Sequence, residues 1–166
     1  ADRMVTAEGV KAIIGALCSG ATTAILKNVS MPKGVMLFSP SATSPALTTI
    51  ADNDLFFRAS PSDARQGQLI AQMLKEKGVK TAALTYTNND DGKGLADSIK
   101  TNFEKVGGKI TVYASHEDDK GDYTAEVGAL SAAKSDILIV AGYLDRGGRG
   151  IIRASLDSGA FDTFFL

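Results

Sequence analysis

The chain has a single cysteine, Cys18, a single histidine, His116, and only four prolines. One thiol cannot close an internal disulfide, so Cys18 reads as a buried small hydrophobe or as half of a bridge whose partner lies outside this chain. Nucleophilic catalysis by a Cys–His pair would have one possible cast, and nothing in the sequence brings those two residues together. Neither sign of charge is in excess: 18 Lys and Arg stand against 19 Asp and Glu, a net charge of −1. That balance offers no electrostatic footprint for nucleic acid or for an anionic membrane surface. Long apolar runs are missing too. Stretches such as Ile137-Leu138-Ile139-Val140-Ala141 fall far short of the ~20 residues a spanning helix needs.

Enzyme signatures are equally scarce. No Gly-Lys-Ser/Thr follows a suitable glycine, so there is no Walker loop. Gly142-Tyr143-Leu144-Asp145-Arg146-Gly147-Gly148-Arg149-Gly150 follows an apolar run and opens a helical pattern, but it lacks dinucleotide-binding spacing. There is no Gly-x-Ser-x-Gly elbow, and no turn resembles a flavin phosphate loop. Glu117-Asp118-Asp119-Lys120-Gly121-Asp122 is acidic enough to suggest calcium, but it has neither EF-hand spacing nor a closing glutamate. No metal, cofactor or catalytic residue is expected.

What is present is the composition of a soluble globular protein, 44% apolar and 22% charged over 166 residues, enough for one ordinary domain or parts of two. Ala1-Asp2-Arg3-Met4 reads as the start of a mature or trimmed chain. Short apolar runs over residues 12–16, 35–38, 55–58, 81–85, 109–114, 136–141 and 163–166 predict strands. Helical periodicity occupies 21–29, 64–77, 92–106, 123–133 and 148–158. Leu69, Ile70, Met73 and Leu74 line one face of the second of these, and Leu95, Ile99, Phe103 and Val106 one face of the third. Ser62 or Asp63, and Asp122, suit N-caps, while Gly78, Gly107-Gly108 and Gly159 suit helix ends. Strand and helix alternating in this way predict an α/β fold with parallel sheets flanked by helices.

The rhythm breaks between Ser39 and Ser60, where no long helix fits, and Ala59-Ser60-Pro61-Ser62 reads as a joint between lobes. Residues 1–59 are thus expected to belong to one α/β lobe and 60–166 to a second. The first piece is small for an independent core, so something beyond this chain is expected to complete it.

In open α/β sheets ligands sit beyond the carboxyl ends of the strands, which selects residues 16–23, 39–48, 87–94, 115–122 and 142–150. Leu17-Cys18-Ser19-Gly20-Ala21-Thr22 and Ser39-Pro40-Ser41-Ala42-Thr43-Ser44-Pro45 are the most informative, being small and rich in hydroxyls. Helix-start amides and hydroxyl oxygens can hold an anion or zwitterion without a charged side chain. Structural readings stand beside this one. Ser19 and Thr22 could cap a helix, and Thr43 and Ser44 could serve turn chemistry. Residues 87–92 could form a solvated loop and cap, and Tyr143 could be a half-buried packing aromatic.

The segments Val10-Lys11-Ala12-Ile13-Ile14-Gly15, Cys18-Ser19-Gly20-Ala21-Thr22 and Phe38-Ser39-Pro40-Ser41-Ala42-Thr43-Ser44-Pro45-Ala46-Leu47-Thr48 resemble the branched-chain amino-acid binding proteins, type I periplasmic solute receptors that feed ABC importers. The similarity continues through Phe57-Arg58, Gln66-Gly67, Gly92-Lys93-Gly94, Gly121-Asp122-Tyr123, Gly142-Tyr143 and Ser158-Gly159-Ala160. The resemblance implies a type I periplasmic-binding-protein-like fold of flavodoxin-like lobes, incomplete relative to the full family fold and corresponding to its middle portion. It implies that Ser19 and Thr43 hold a ligand carboxylate through hydroxyl and backbone amide, with Gly20 and Ala42 in the same loops. The Ser41 carbonyl and Thr43 hydroxyl would take the ammonium, and Tyr143 would cover the ligand. Where the family usually has Asp-Tyr-Gly-x-Gly, this chain has Asp90-Asp91-Gly92-Lys93-Gly94. A carboxylate at Asp91 replaces an aromatic and would favour a more cationic ligand, or the residue is an engineered change at a surface.

The function so implied is that of a non-enzymatic, periplasmic or cell-surface receptor for an amino acid or similar small carboxylate, docking onto a membrane permease of an ABC importer. Self-association is expected if the chain is truncated. Two alternatives stay open: a truncated or engineered single flavodoxin-like scaffold without ligand activity, and an enzyme of flavodoxin-like architecture.

Overall fold

The computed structural model describes residues 1–166, the side chain of Arg146 excepted. The chain forms two compact units, Ala1–Asp63 and Ala64–Leu166.

The first unit opens with a short helix α1 (Asp2–Thr6), which the apolar pattern did not announce, and continues with strand β1 (Ala12–Ile14). Helix α2 (Ser19–Ile25) runs into a π-helical turn, Leu26–Ser30, and a last helical turn α3 (Met31–Lys33). The helix expected over 21–29 therefore starts earlier and is widened in its middle. The widening leads into Pro32, which has no N–H to return to the preceding turn. Gly34 ends the helix in the left-handed conformation, φ 63°. Strand β2 (Met36–Ser39), helix α4 (Ala46–Thr49) and strand β3 (Phe56–Arg58) complete the unit. The sheet is parallel in the order β1-β2-β3. Alternation puts Ile13 and Leu37 on one face, where Leu26, Val29, Val35, Ala42 and Leu47 close a core. Ile14, Met36 and Phe57 lie exposed on the other face.

The second unit starts on helix α5 (Asp63–Glu76), whose first residue ends the first unit. It continues with β4 (Thr81–Thr87), α6 (Asp90–Lys105), β5 (Lys109–His116), α7 (Thr124–Ser131), β6 (Ile137–Ala141), a π-helical turn Leu144–Gly148, α8 (Arg149–Ser158) and β7 (Phe164–Phe165). Its parallel sheet has the order β5-β4-β6-β7. Period-two alternation divides β6 between two cores. Ile137, Ile139 and Ala141 pack with Leu74, Ile99 and Phe103 of α5 and α6. Leu138 and Val140 pack with Val127, Leu130 and Ile151 of α7 and α8. Helices on both faces of a parallel sheet are what this pattern requires.

Three local features set the geometry of this unit. α5 and α6 approach closely enough that a Cβ on Gly67 would lie 2.2 Å from Ser98 Oγ. The pairing of β4 with β5 shifts register between Ala82 and Ala83, so Ile110 pairs with Ala82 but Val112 with Ala83. From Val112 onward the even-numbered residues of β5 face α7 and α8. Strands β4 and β5 also run on to Thr87 and His116, two residues beyond the apolar runs at each tip, because polar side chains there pair with each other rather than with water.

Candidate functional site

The tips of β1 and β2 are knitted together by hydroxyl groups. Ser39 is fully buried at the end of β2. Its Oγ donates to Ala16 O at 2.6 Å and accepts from Ala42 N at 3.0 Å. Ser41 Oγ donates to Leu17 O at 2.8 Å. Thr22 Oγ1 donates to Cys18 O at 2.9 Å and lies 3.3 Å from Ala16 O. Ser19, also fully buried, accepts from Thr43 N and Ser44 N, each at 3.1 Å. Ser19 and Thr43, 24 positions apart in sequence, are thus direct neighbours, with Gly20 exposed in the first turn of α2 beside them. Ala42 is fully buried, Thr43 half-buried and Ser41 exposed.

Arg58, at the end of β3, holds the second loop from behind. Nη1 donates to Ser44 O at 2.9 Å and Ala42 O at 3.3 Å, and Nη2 donates to Thr48 Oγ1. Burial pushes the guanidinium below its ordinary pKa, and the Asp63 charge opposes that shift. Ser60 Oγ donates to Ala42 O at 3.1 Å and Asp63 N to Thr43 O at 3.0 Å. Neither Ser39 nor Arg58 was assigned a site role from sequence. The available signal was the pairing register, which sets Ser39 opposite Arg58 and exists only once the strands are aligned.

Cys18 corrects an expectation: it is exposed rather than a buried small hydrophobe. It occupies the N-cap of α2 with extended backbone, φ −83° and ψ 140°, and its carbonyl turns inward to receive Thr22.

Asp91 and Tyr143 belong to the second unit. Asp91 is half-buried in the first turn of α6, a turn capped by Asn89 Oδ1 accepting from Gly92 N at 2.8 Å. Tyr143 is 48% exposed at the start of the π-helical turn after β6. Across the tips of β4 and β5 lies a buried polar cluster. Thr85 Oγ1 is 2.8 Å from His116 Nδ1, Thr87 Oγ1 is 3.4 Å from His116 Nε2, and Thr87 Oγ1 donates to Asp118 Oδ1 at 3.2 Å. Asp118 also lines an open groove of about 790 Å³ beside α8, with Lys120, Asp145, Arg149 and Arg153. Mixed charge of this kind selects neither anion nor cation, and none of the sequence-expected ligand residues lines the groove. Among the described residues no group of His, Cys, Asp or Glu could hold a metal ion.

Parallel sheets flanked by helices, with hydroxyl-lined loops at the strand tips, define a type I periplasmic-binding-protein-like α/β fold. A periplasmic binding protein from Burkholderia mallei superposes over 99% of this chain and 44% of its own with a TM-score of 0.83 and 16% identity, a likeness of fold. The chain belongs to the family described as the receptor family ligand binding region, which matches residues 1–156. Among curated relatives, the Leu/Ile/Val-binding protein of Citrobacter freundii is 29% identical over 140 residues, covering 84% of this chain and 38% of that protein. The branched-chain amino acid transporter substrate binding protein of Streptococcus pneumoniae, solved with isoleucine, is 28% identical over 98% of this chain and 45% of its own, with a TM-score of 0.78. The chain spans about two fifths of the length of the curated relatives it matches.

Proposed function

We propose that the chain is part of an extracytoplasmic solute receptor that binds a small amino acid, branched-chain or similar, and delivers it to the permease of an ABC importer. Binding rather than catalysis is its chemistry. The observation that carries this reading is the direct contact of Ser19 with the Thr43 amide, in a family whose matched relatives are named for leucine, isoleucine and valine. A ligand carboxylate has a defined place to enter. It takes over the Thr43 amide from Ser19 Oγ, which keeps Ser44 N, so that neither amide is left without an acceptor. The Ser41 carbonyl and Thr43 hydroxyl receive the ammonium. Arg58 and Ser39 keep the loops in shape without touching ligand.

Thermal shift against L-leucine, L-isoleucine, L-valine and L-lysine tests the proposal. At a ligand concentration one hundred times Kd the gain is about 2.7 kcal/mol, and Thr43→Ala abolishes it. A folded chain that none of these ligands stabilises is the inert scaffold instead.

A further inference from the structure

The sequence gives His116 no task, yet its ring organises the tip of the second sheet. Thr87 donates its only hydroxyl proton to Asp118 Oδ1, because an ionised carboxylate can only accept. Thr87 Oγ1 can therefore only receive from His116 Nε2, and in a neutral ring so protonated Nδ1, 2.8 Å from Thr85 Oγ1, accepts from the Thr85 hydroxyl. The polarity then runs without a break from Thr85 to His116 to Thr87 to Asp118. A second proton, on Nδ1, would face the Thr85 hydroxyl head on and force it to turn away inside a site where Thr85 is 1% and His116 2% exposed.

Two turns rest on this cluster. The first follows β4: Asn88 N donates to His116 O at 2.9 Å, Asn88 Nδ2 to Glu117 Oε1 at 2.7 Å, and Asn89 N to Thr87 O at 2.7 Å. That turn carries Asp91. The second follows β6. A Cβ on Gly142 would lie 2.2 Å from Thr87 Oγ1, and one on Gly147 would lie 2.7 Å from His116 Cδ2, so the backbone on either side of Tyr143 is pressed against Thr87 and the imidazole. We propose that His116 is a positioning residue that holds the turns bearing Asp91 and Tyr143 in place only while its ring is neutral.

The charged and titratable groups around the ring are few. Glu117 and Asp118 follow it just beyond the end of β5, Glu126 acts on it from α7, and the Tyr123 ring stands edge-on at 6.4 Å. β4 contributes the two threonines and the turn after β6 contributes Gly147. Burial lowers the histidine's pKa, and the carboxylates of Asp118, Glu126 and Glu117 oppose that shift.

The test needs no ligand and uses two measurements on the whole chain. Nitrogen-15 NMR of the wild-type chain at pH 7.5 is expected to show His116 neutral with its proton on Nε2; the Nδ1 tautomer overturns the proposal. Amide hydrogen exchange, corrected for intrinsic rate, is expected to accelerate in residues 88–92 and 142–148 as pH falls from 7.5 to 5.0, and to be insensitive to pH in His116→Gln. Unchanged wild-type exchange, or a variant that follows the wild-type profile, overturns it.

Discussion

Single hydroxyl groups carry more of the candidate site than any charged residue does. Ser19→Ala leaves the amides of Thr43 and Ser44 without the oxygen that receives them. Ser44 is buried, so the change should cost about 1–3 kcal/mol, the penalty for a stranded buried donor, measured by urea unfolding of the first unit. No change in midpoint would mean that water replaces the serine. Asp136 makes a different kind of contact. Its Oδ2 accepts from Thr81 N at 2.8 Å and Lys80 N at 2.9 Å. The Thr81 amide, then the Lys80 amide, hold its pKa below the ordinary carboxylate value. A depressed carboxylate contributes stability that is present above its unfolded pKa of about 3.9 and is lost as pH falls through the lower folded value. Asp136→Asn should therefore be less stable than wild type at pH 7, with the gap closing below about pH 4. A gap that persists in acid would assign the effect to packing rather than charge. In the sequence Asp136 shows only as the polar residue that opens an apolar run, because its two amide partners come from a segment 55 and 56 positions away.

Among the elements, the long helices of the second unit were legible from sequence to within two residues at each end, because their apolar faces and stop signals agree. Gly78, Gly107 and Gly159 all take positive φ just beyond a helix, as helix-ending glycines do. The π-helical turn at Leu26–Ser30 was not legible. A shift from four-residue to five-residue bonding changes no apolar spacing enough to show in so short a stretch. Close approach was hidden for a similar reason: it depends on what sits opposite. Gly92 lies at the start of α6 where a Cβ would come 2.3 Å from Thr87 O, a main-chain atom. Gly92→Ala is expected to destabilise by about 1–3 kcal/mol, the usual cost of overpacking, and to loosen the Asn89 cap. Thermal unfolding of the second unit checks this, and an unchanged Tm would show that the turn yields freely.

Across the molecule the two units differ in how much they cover. The sheet of Ala64–Leu166 has a core on each face, whereas that of Ala1–Asp63 has one core and one bare face, with Ile14 at 82%, Phe57 at 49% and Met36 at 40% exposure. Parallel sheets are ordinarily covered on both sides, and a bare apolar face invites association. Light scattering of the isolated chain should show mass rising with concentration, reduced in Ile14→Lys; a strictly monomeric wild type would count against a sticky sheet face. The smaller unit also buries less of its surface. Limited proteolysis is expected to degrade the first unit ahead of the second and leave a resistant fragment that starts beyond Asp63. Simultaneous loss of both would show that they unfold as one.

The α/β class, the run of strands and helices, and the two hydroxyl-rich turns could all be read from the linear chain, because alternation, amphipathic spacing and small polar residues are local properties that survive in one dimension. Which oxygen meets which amide depended on folding. Ser39 and Ser19 each serve partners on another segment, and Arg58 reaches its carbonyls only once β3 lies beside β2. His116 faces Thr85 and Thr87 because one register shift at Ala82/Ala83 turned the rest of β5 over. A single extra residue in a strand reverses every side chain beyond it, and strand register is settled by pairing between segments that are distant in sequence.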